Sequence, residues 1–158
     1  MKSLLHLVLA GLLTAGLLPA RAETYTIHDD GGGVIVKYVR RYSDMRDNHQ
    51  KIEVAGECAS ACTLFLGLLP ETQYCVRPTA RLGFHTATAI TRARNGKETF
   101  EYAPELSYLM FSLYPYKVRK LVKSLGWDGD DNKPHPDLVW VEGDNLEKIA
   151  PICGGEKT

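Results

Sequence analysis

The segment Gly56-Glu57-Cys58-Ala59-Ser60-Ala61-Cys62 places a serine between two alanines, with a cysteine on either side of them. Apolar residues alternate at Ile52 and Val54, so we expect a strand that ends at Gly56. The apolar run 63–66 then predicts a tight turn into a buried helix over residues 58–69. We call residues 58–62 the elbow.

Ser60 in the elbow is a candidate nucleophile. A sharp turn exposes its Oγ, and backbone N–H groups at the start of a helix can stabilise a developing oxyanion. The alternative is that Ser60 only caps the helix, which is the usual role of serine at such a position.

Two further features suggest a site. The glycine triplet 31–33 follows a short β-prone run at 25–27, and its N–H groups are candidates for the second half of an oxyanion hole. Such triplets also serve as plain turns. His85 ends the alternating strand 81–84, where a histidine is either structural or a general base. Ser60, the glycine triplet and His85 all lie at the ends of buried elements. Only their combination indicates a catalytic site.

The remaining periodicity predicts an α/β domain. Ile35, Tyr38, Val39 and Tyr42 recur at helical spacing. The other expected elements are a polar turn over 44–50, a strand at 74–76, an exposed loop or hairpin over 86–100, a helix from Pro104 to about Leu113, a helix through 118–125, a strand at 138–141 and a short last helix capped by Asp144.

The composition bounds the class of protein. The 158 residues, 44% of them hydrophobic, suffice for one domain with a core. The 19 basic and 19 acidic side chains balance, which excludes the basic surface of a nucleic-acid-binding protein. We expect no nucleic-acid partner, no cofactor and no metal site.

Residues 1–22 have the pattern of a secretory signal peptide, with Lys2 before an apolar run over 4–19 and small residues at Ala20 and Ala22. A retained transmembrane anchor is the alternative, but an apolar run of about 16 residues is shorter than the roughly 20 that span a bilayer. We therefore expect cleavage before Glu23, a single domain over residues 23–158, a periplasmic or secreted location and no membrane association after cleavage.

The ordered motifs resemble the proteolytic subunit of the Clp protease. They are Asp30-Gly31-Gly32-Gly33-Val34, an amphipathic helix, a strand, Gly56-x-x-Ala59-Ser60-Ala61, a helix, Cys75-Val76-x-Pro78 and Leu82-Gly83-Phe84-His85. The chain is most similar to exported Clp-like proteins whose nucleophile segment reads C-x-S-A-C. The resemblance covers roughly residues 25–86, with a looser match through the terminal helix at Leu146. It implies a truncated Clp/crotonase-like ββα spiral, here stapled by disulfides.

The resemblance also implies roles for individual residues. Ser60 would attack the substrate and His85 would act as general base. Gly32 and Ala61 would donate to the oxyanion, with Gly31 and Gly33 as register alternatives for Gly32.

The acid that orients the histidine has three candidates. Asp137 is the nearest counterpart of the family's third catalytic residue, and Asp131 or Glu142 could also serve as the acid. Loss of such an acid lowers the activity of a serine triad by about four powers of ten.

Two functions follow. The first is an exported Clp-like serine hydrolase, a peptidase-like enzyme that transfers an acyl group from a peptide or other acyl substrate to water. The second is a non-catalytic, disulfide-stapled binding or assembly protein that keeps the Clp-like fold. The family commonly assembles into rings, so the resemblance allows a homo-oligomer, although the sequence does not fix the oligomeric state. ATPase-driven unfolding is not expected, since the exported compartment holds no ATP.

Four cysteines lie in the predicted domain, at Cys58, Cys62, Cys75 and Cys153. An even count in an oxidising compartment predicts two disulfides. Zinc binding is the alternative, but the spacing lacks the paired C-x2-C pattern of structural zinc sites. We expect the elbow cysteines to be joined to Cys75, on a strand beside the elbow, and to Cys153, near the C terminus.

Overall fold

The computed structural model of the chain describes residues 23–129 and 137–155. The predicted signal peptide over residues 1–22 and the alternative acid Asp131 lie outside the described residues. Within the part that is described, no helix is both long and apolar enough to cross a membrane.

The described residues form a mixed α/β structure, as the periodicity predicts. The strands are β1 (Thr24–Asp30), β2 (Lys51–Ala59), β3 (Tyr74–Val76), β4 (Arg81–Phe84), β5 (Thr88–Arg92), β6 (Glu98–Tyr102) and β7 (Val139–Val141). The α-helices are α1 (Ile35–Asp47), α2 (Phe65–Leu68), α3 (Pro104–Leu113) and α4 (Tyr116–Ser124). Three 3₁₀ helices lie at Ser60–Leu64, Glu71–Gln73 and Gly143–Asn145.

The main sheet has β2 at its centre. β1 runs parallel to β2 on one side, while β3 and then β4 run parallel to it on the other. β7 is antiparallel to β4, with Val139 opposite Phe84. Because Cys58 pairs with Asp30 and Ala59 pairs with Gly83, the carboxyl ends of β1, β2 and β4 lie at the same edge of the sheet.

Helix α1 covers the sheet with the face that the helical spacing predicts. Its buried side chains are Tyr38, Tyr42 and Met45. Tyr42 meets Phe65 edge to face, with ring centroids 6.3 Å apart. Met45 stays on this buried face, and α1 therefore continues to Asp47, through the first half of the stretch expected to be a polar turn.

The expected end of β2 at Gly56 is wrong. β2 continues to Ala59 across a β-bulge, in which Ala55 and Gly56 lie opposite the single residue His28. A Cβ at Gly56 would lie 1.9 Å from the carbonyl oxygen of His28, so only glycine permits this approach. The glycine therefore serves the close approach of two strands and does not terminate one.

The expected helix over residues 58–69 is also corrected. Residues 58 and 59 belong to β2, and the helical part consists of the 3₁₀ helix Ser60–Leu64 and the single turn α2. The short last helix is likewise a 3₁₀ helix, Gly143–Asn145. Of the two structures predicted over residues 86–100, an exposed loop or a hairpin, the structure has the hairpin, in which β5 and β6 run from Thr88 to Tyr102.

Two disulfides are present, as expected, but their predicted pairing is wrong. Cys58 joins Cys62, and Cys75 joins Cys153. The turn after β2 brings the Cα atoms of Cys58 and Cys62 to 5.4 Å, which is a distance that a disulfide spans. The C-terminal segment aligns beside β3, where the Cys153 N–H donates to the Val76 carbonyl at 2.9 Å and brings Cys153 next to Cys75.

Candidate functional site

The residues singled out in the sequence lie at the edge of the sheet where the parallel strands β1, β2 and β4 have their carboxyl ends. The glycine triplet 31–33 follows β1, Ser60 follows β2, and His85 follows β4. Neighbouring strands are about 4.8 Å apart, and Ala59 is paired with Gly83, so Ser60 leaves β2 beside the end of β4, and His85 lies one residue further along that edge.

Ser60 has an unusual backbone conformation. Its φ is +56°, in the left-handed region that residues other than glycine rarely adopt. The residue that precedes the 3₁₀ helix is Ala59, and no side chain caps that helix. Among the described residues, no hydrogen bond engages the Ser60 hydroxyl, so Ser60 does not act as a cap here. Strained backbone of this kind concentrates at functional sites.

The elbow around Ser60 is held at several points. The Cys58–Cys62 disulfide closes it from strand to helix. The buried Tyr42 hydroxyl donates to the Cys62 carbonyl oxygen at 2.7 Å. The Thr63 hydroxyl donates to the Ser60 carbonyl oxygen, also at 2.7 Å. Since a threonine hydroxyl has one proton, the Tyr114 hydroxyl donates to Thr63 in turn, at 2.7 Å.

The glycine turn packs directly on the elbow. Gly32 has a φ of +85°, and a Cβ built on it would lie 2.6 Å from the Ala59 carbonyl oxygen. The Gly32 N–H donates to Asp30 Oδ1 at 2.9 Å, so this carboxylate already engages the donor that the resemblance assigns to the oxyanion. Gly33 is the alternative donor, and no described residue accepts a hydrogen bond from its N–H.

Asp30 is a residue of the site whose role the sequence reasoning missed. Besides Gly32, its Oδ1 accepts a 2.6 Å hydrogen bond from the Tyr38 hydroxyl, and its Oδ2 lies 3.6 Å from Arg41 Nη1. Burial and the hydrogen bond with Asp30 together raise the pKa of Tyr38 to about 12. An aspartate immediately before a glycine triplet is a recognisable signal, because such side chains bind backbone N–H groups two residues ahead.

His85 is half-buried at the end of β4. Burial lowers the pKa of its imidazole below the ordinary value, against a smaller opposing effect of a hydrogen bond with the Thr86 backbone. A neutral imidazole is the form that can accept a proton. The chain beyond it is anchored by the buried Ser107, whose Oγ accepts a 2.8 Å hydrogen bond from the Ala87 N–H. No hydrogen bond between His85 and Ser60 is found in the described part of the chain, so their direct contact stays a prediction.

Two of the three candidate acids can be placed. Val139 pairs with Phe84 in antiparallel register, so Asp137, two residues earlier, lies along the strand direction beside the segment that follows His85. Its side chain is exposed. Glu142 lies at the opposite end of β4, where it accepts a 2.7 Å hydrogen bond from Arg81 Nε. Four residues of strand, about 13 Å, separate Arg81 from His85, so Glu142 is too distant to orient the imidazole.

A cavity of about 890 Å³ lies away from this edge. It opens where β2 and β3 begin and is lined by Lys51, Tyr74 and Cys153 among others, but by neither Ser60 nor His85. Within residues 23–129 and 137–155, no three metal-binding side chains of His, Cys, Asp or Glu come together.

The sequence matches no protein-family model and no curated protein.

Proposed function

We propose that the protein is an exported serine hydrolase with a Clp-like site, in which Ser60 is the nucleophile and His85 the general base. The observation that carries the proposal is the backbone of Ser60. A serine held at a φ of +56°, with a hydroxyl that makes no hydrogen bond among the described residues, has no evident structural use for either property.

The proposed mechanism follows from the positions of the groups. His85 takes the proton of the Ser60 hydroxyl as Oγ attacks the acyl carbon of the substrate. The Ala61 N–H and one N–H of the glycine turn bind the oxyanion. Because Asp30 engages Gly32, we assign the second donor to Gly33. His85 then protonates the leaving group, and water attacks the acyl-enzyme with His85 again as base.

The substrate class and the finer fold belong to the same proposal. A peptide or another acyl compound is the substrate that the resemblance implies. The parallel arrangement of β1, β2 and β4, each followed by a turn at the same edge, is compatible with a truncated ββα spiral. Two disulfides support a periplasmic or secreted location, since disulfides persist in oxidising compartments.

A non-catalytic binding or assembly protein is the second candidate. The observations that favour it are the missing hydrogen bond between Ser60 and His85 and the exposed position of Asp137. Catalytic hydrogen bonds are often long without substrate and tighten on binding, so the hydrolase remains the proposed function.

Labelling with a fluorophosphonate probe separates the two functions. The hydrolase predicts covalent labelling of wild type at Ser60, located by peptide mass spectrometry, and its loss in Ser60→Ala and His85→Ala. Ser124→Ala is the matched control, because Ser124 is an exposed helical serine whose hydroxyl donates only to its own helix. If correctly folded wild type does not label at any pH between about 6 and 9, where a histidine base is at least partly neutral, the binding protein is the better account.

Assembly into a homo-oligomer is also proposed. The β5–β6 hairpin follows the site in the chain and is exposed along almost its whole length. Ile90 and Phe100 lie directly opposite each other on it, 55% and 65% exposed. A two-stranded hairpin is only marginally stable in water by itself, so contact with a second copy would stabilise it.

A further inference from the structure

The two disulfides differ in what they connect. Cys75–Cys153 joins residues 78 positions apart and ties the C-terminal segment to β3. Cys58–Cys62 joins residues only 4 positions apart, and Ser60 lies at the middle of the segment that it closes. The short bridge restricts only a small part of the unfolded chain. In the folded protein it fixes the backbone on both sides of Ser60.

Both ends of the short bridge are fixed by other contacts. Cys58 is paired within the sheet with Asp30 on one side and Leu82 on the other. Cys62 is held by its carbonyl oxygen, which accepts the hydrogen bond from the buried Tyr42 hydroxyl. The bridge therefore connects the end of a central strand to a helix that is itself anchored on α1, and Ser60 is the apex between them.

Burial of the bridge argues against a redox-active role. Cys58 and Cys62 are both fully buried. Exchange of a disulfide requires that a thiolate reach one of its sulfurs, so this pair is closed to reductants in the folded protein. The bridge is local and buried, and it closes a segment with the strained Ser60 at its middle. It is therefore suited to hold Ser60 in position.

We propose that the Cys58–Cys62 disulfide is a positioning element for Ser60, which keeps the nucleophile in its left-handed conformation beside the glycine turn. This inference rests on the proposed function and assigns the two cysteines a role through Ser60, without contact to the substrate. The Cys75–Cys153 disulfide serves the stability of the whole domain.

The test compares two double variants of the full chain after oxidative refolding, Cys58→Ala/Cys62→Ala and, as the matched control, Cys75→Ala/Cys153→Ala. The rate of fluorophosphonate labelling is resolved into the first-order constant kinact and the inhibitor constant KI, below the Tm of both variants. We expect kinact to fall about 10- to 100-fold in Cys58→Ala/Cys62→Ala with KI unchanged, because a misplacement of about 1 Å has effects of that size. The control should lower the Tm and leave kinact as in wild type.

Amide hydrogen exchange distinguishes failure of this inference from failure of the proposed function. In Cys58→Ala/Cys62→Ala, exchange should become faster at Ala59, Ser60 and Ala61 and stay unchanged in α3. If wild type labels and kinact is unaffected by loss of the short bridge, the positioning role is overturned while the hydrolase stands. If wild type does not label, the hydrolase fails, and unchanged exchange at the elbow overturns the positioning role as well. A second variant, Cys58→Val/Cys62→Ala, fills more of the space that the sulfur atoms leave. If both this variant and Cys58→Ala/Cys62→Ala are unfolded, the positioning role is also overturned, since the bridge would then serve global stability.

Discussion

Gly32 lies so close to Ser60 that a Cβ built on the glycine would be 2.7 Å from the Cβ of the serine. The two residues follow β1 and β2, which are neighbouring parallel strands, and both have a positive φ. The turn after the first strand and the turn after the second are therefore fitted to each other. A change in either turn must displace the other.

Gly32→Ala tests this fit. Alanine at a φ of +85° costs about 1–2 kcal/mol, and its Cβ would clash with the Ala59 carbonyl oxygen as well as with Ser60. We expect the free energy of unfolding to fall by at least that amount and labelling of Ser60 to be lost. Gly31→Ala is the control, because a Cβ there meets nothing within 4 Å. Equal effects of the two variants in urea unfolding and in labelling would contradict the fit.

Ser60→Gly and Ser60→Ala separate strain from capping. Compared with alanine at this position, glycine avoids a left-handed backbone strain of about 1–2 kcal/mol. It also lowers the free energy of unfolding by about 0.5–1 kcal/mol, because glycine gives the unfolded chain more conformational entropy. We expect Ser60→Gly to be as stable as Ser60→Ala or about 1 kcal/mol more stable, and neither variant to label. A cap would instead make Ser60→Ala about 1 kcal/mol less stable than wild type, which urea unfolding at constant pH would reveal.

The pH dependence of labelling should report the His85 imidazole. Burial lowers its pKa below the ordinary 6.5, so the neutral base already predominates at pH 7. We expect the labelling rate to rise with pH through this lowered pKa and to reach its plateau by about neutral pH. A rate that still rises steeply above pH 8 would exclude His85 as the base.

The same shift affects stability. Because the folded pKa of His85 is lowered, the folded state resists protonation. The stability that depends on neutral His85 is therefore complete above the unfolded pKa of about 6.5, and it is lost as the pH falls towards the folded pKa. His85→Gln should remove this part of the acid dependence, measured as the difference from wild type in the pH profile of the Tm. Parallel profiles would contradict it.

Asp137→Asn tests the candidate acid that lies beside the segment after His85. If Asp137 orients the imidazole, labelling should fall by about four powers of ten, because the wrong histidine tautomer is then favoured. Glu142→Gln is the control, since Glu142 pairs with Arg81 at the far end of β4. An unchanged labelling rate in Asp137→Asn would mean a Ser60–His85 dyad or a different acidic partner for the imidazole.

Phe100→Ser should weaken self-association. It removes the larger member of the exposed pair on the β5–β6 hairpin, and the fold should be kept because Phe100 is mostly exposed. Light scattering after size exclusion should show a shift towards monomer. Val36→Ser, which removes a comparably exposed apolar side chain from α1, should leave the mass unchanged. A monomeric wild type would refute the proposed assembly.

The sequence by itself determined the mixed α/β class and the positions of most helices and strands. The helical spacing of Ile35, Tyr38 and Tyr42 and the two-residue alternation before His85 are consequences of backbone geometry, which acts within a few residues. An even number of cysteines after a secretory signal pattern likewise predicted two disulfides. Local pattern did not locate the end of β2, because the role of Gly56 depends on His28 in another strand.

Only the tertiary structure decided which distant residues meet. Cys75 reaches Cys153 because the C-terminal segment aligns with β3, and spacing along the chain does not encode that alignment. The left-handed backbone of Ser60 and the engagement of Gly32 by Asp30 arise where two parallel strands end together at one edge. Pairing and strain of this kind depend on contacts between elements far apart in sequence, and these contacts exist only once the sheet is assembled.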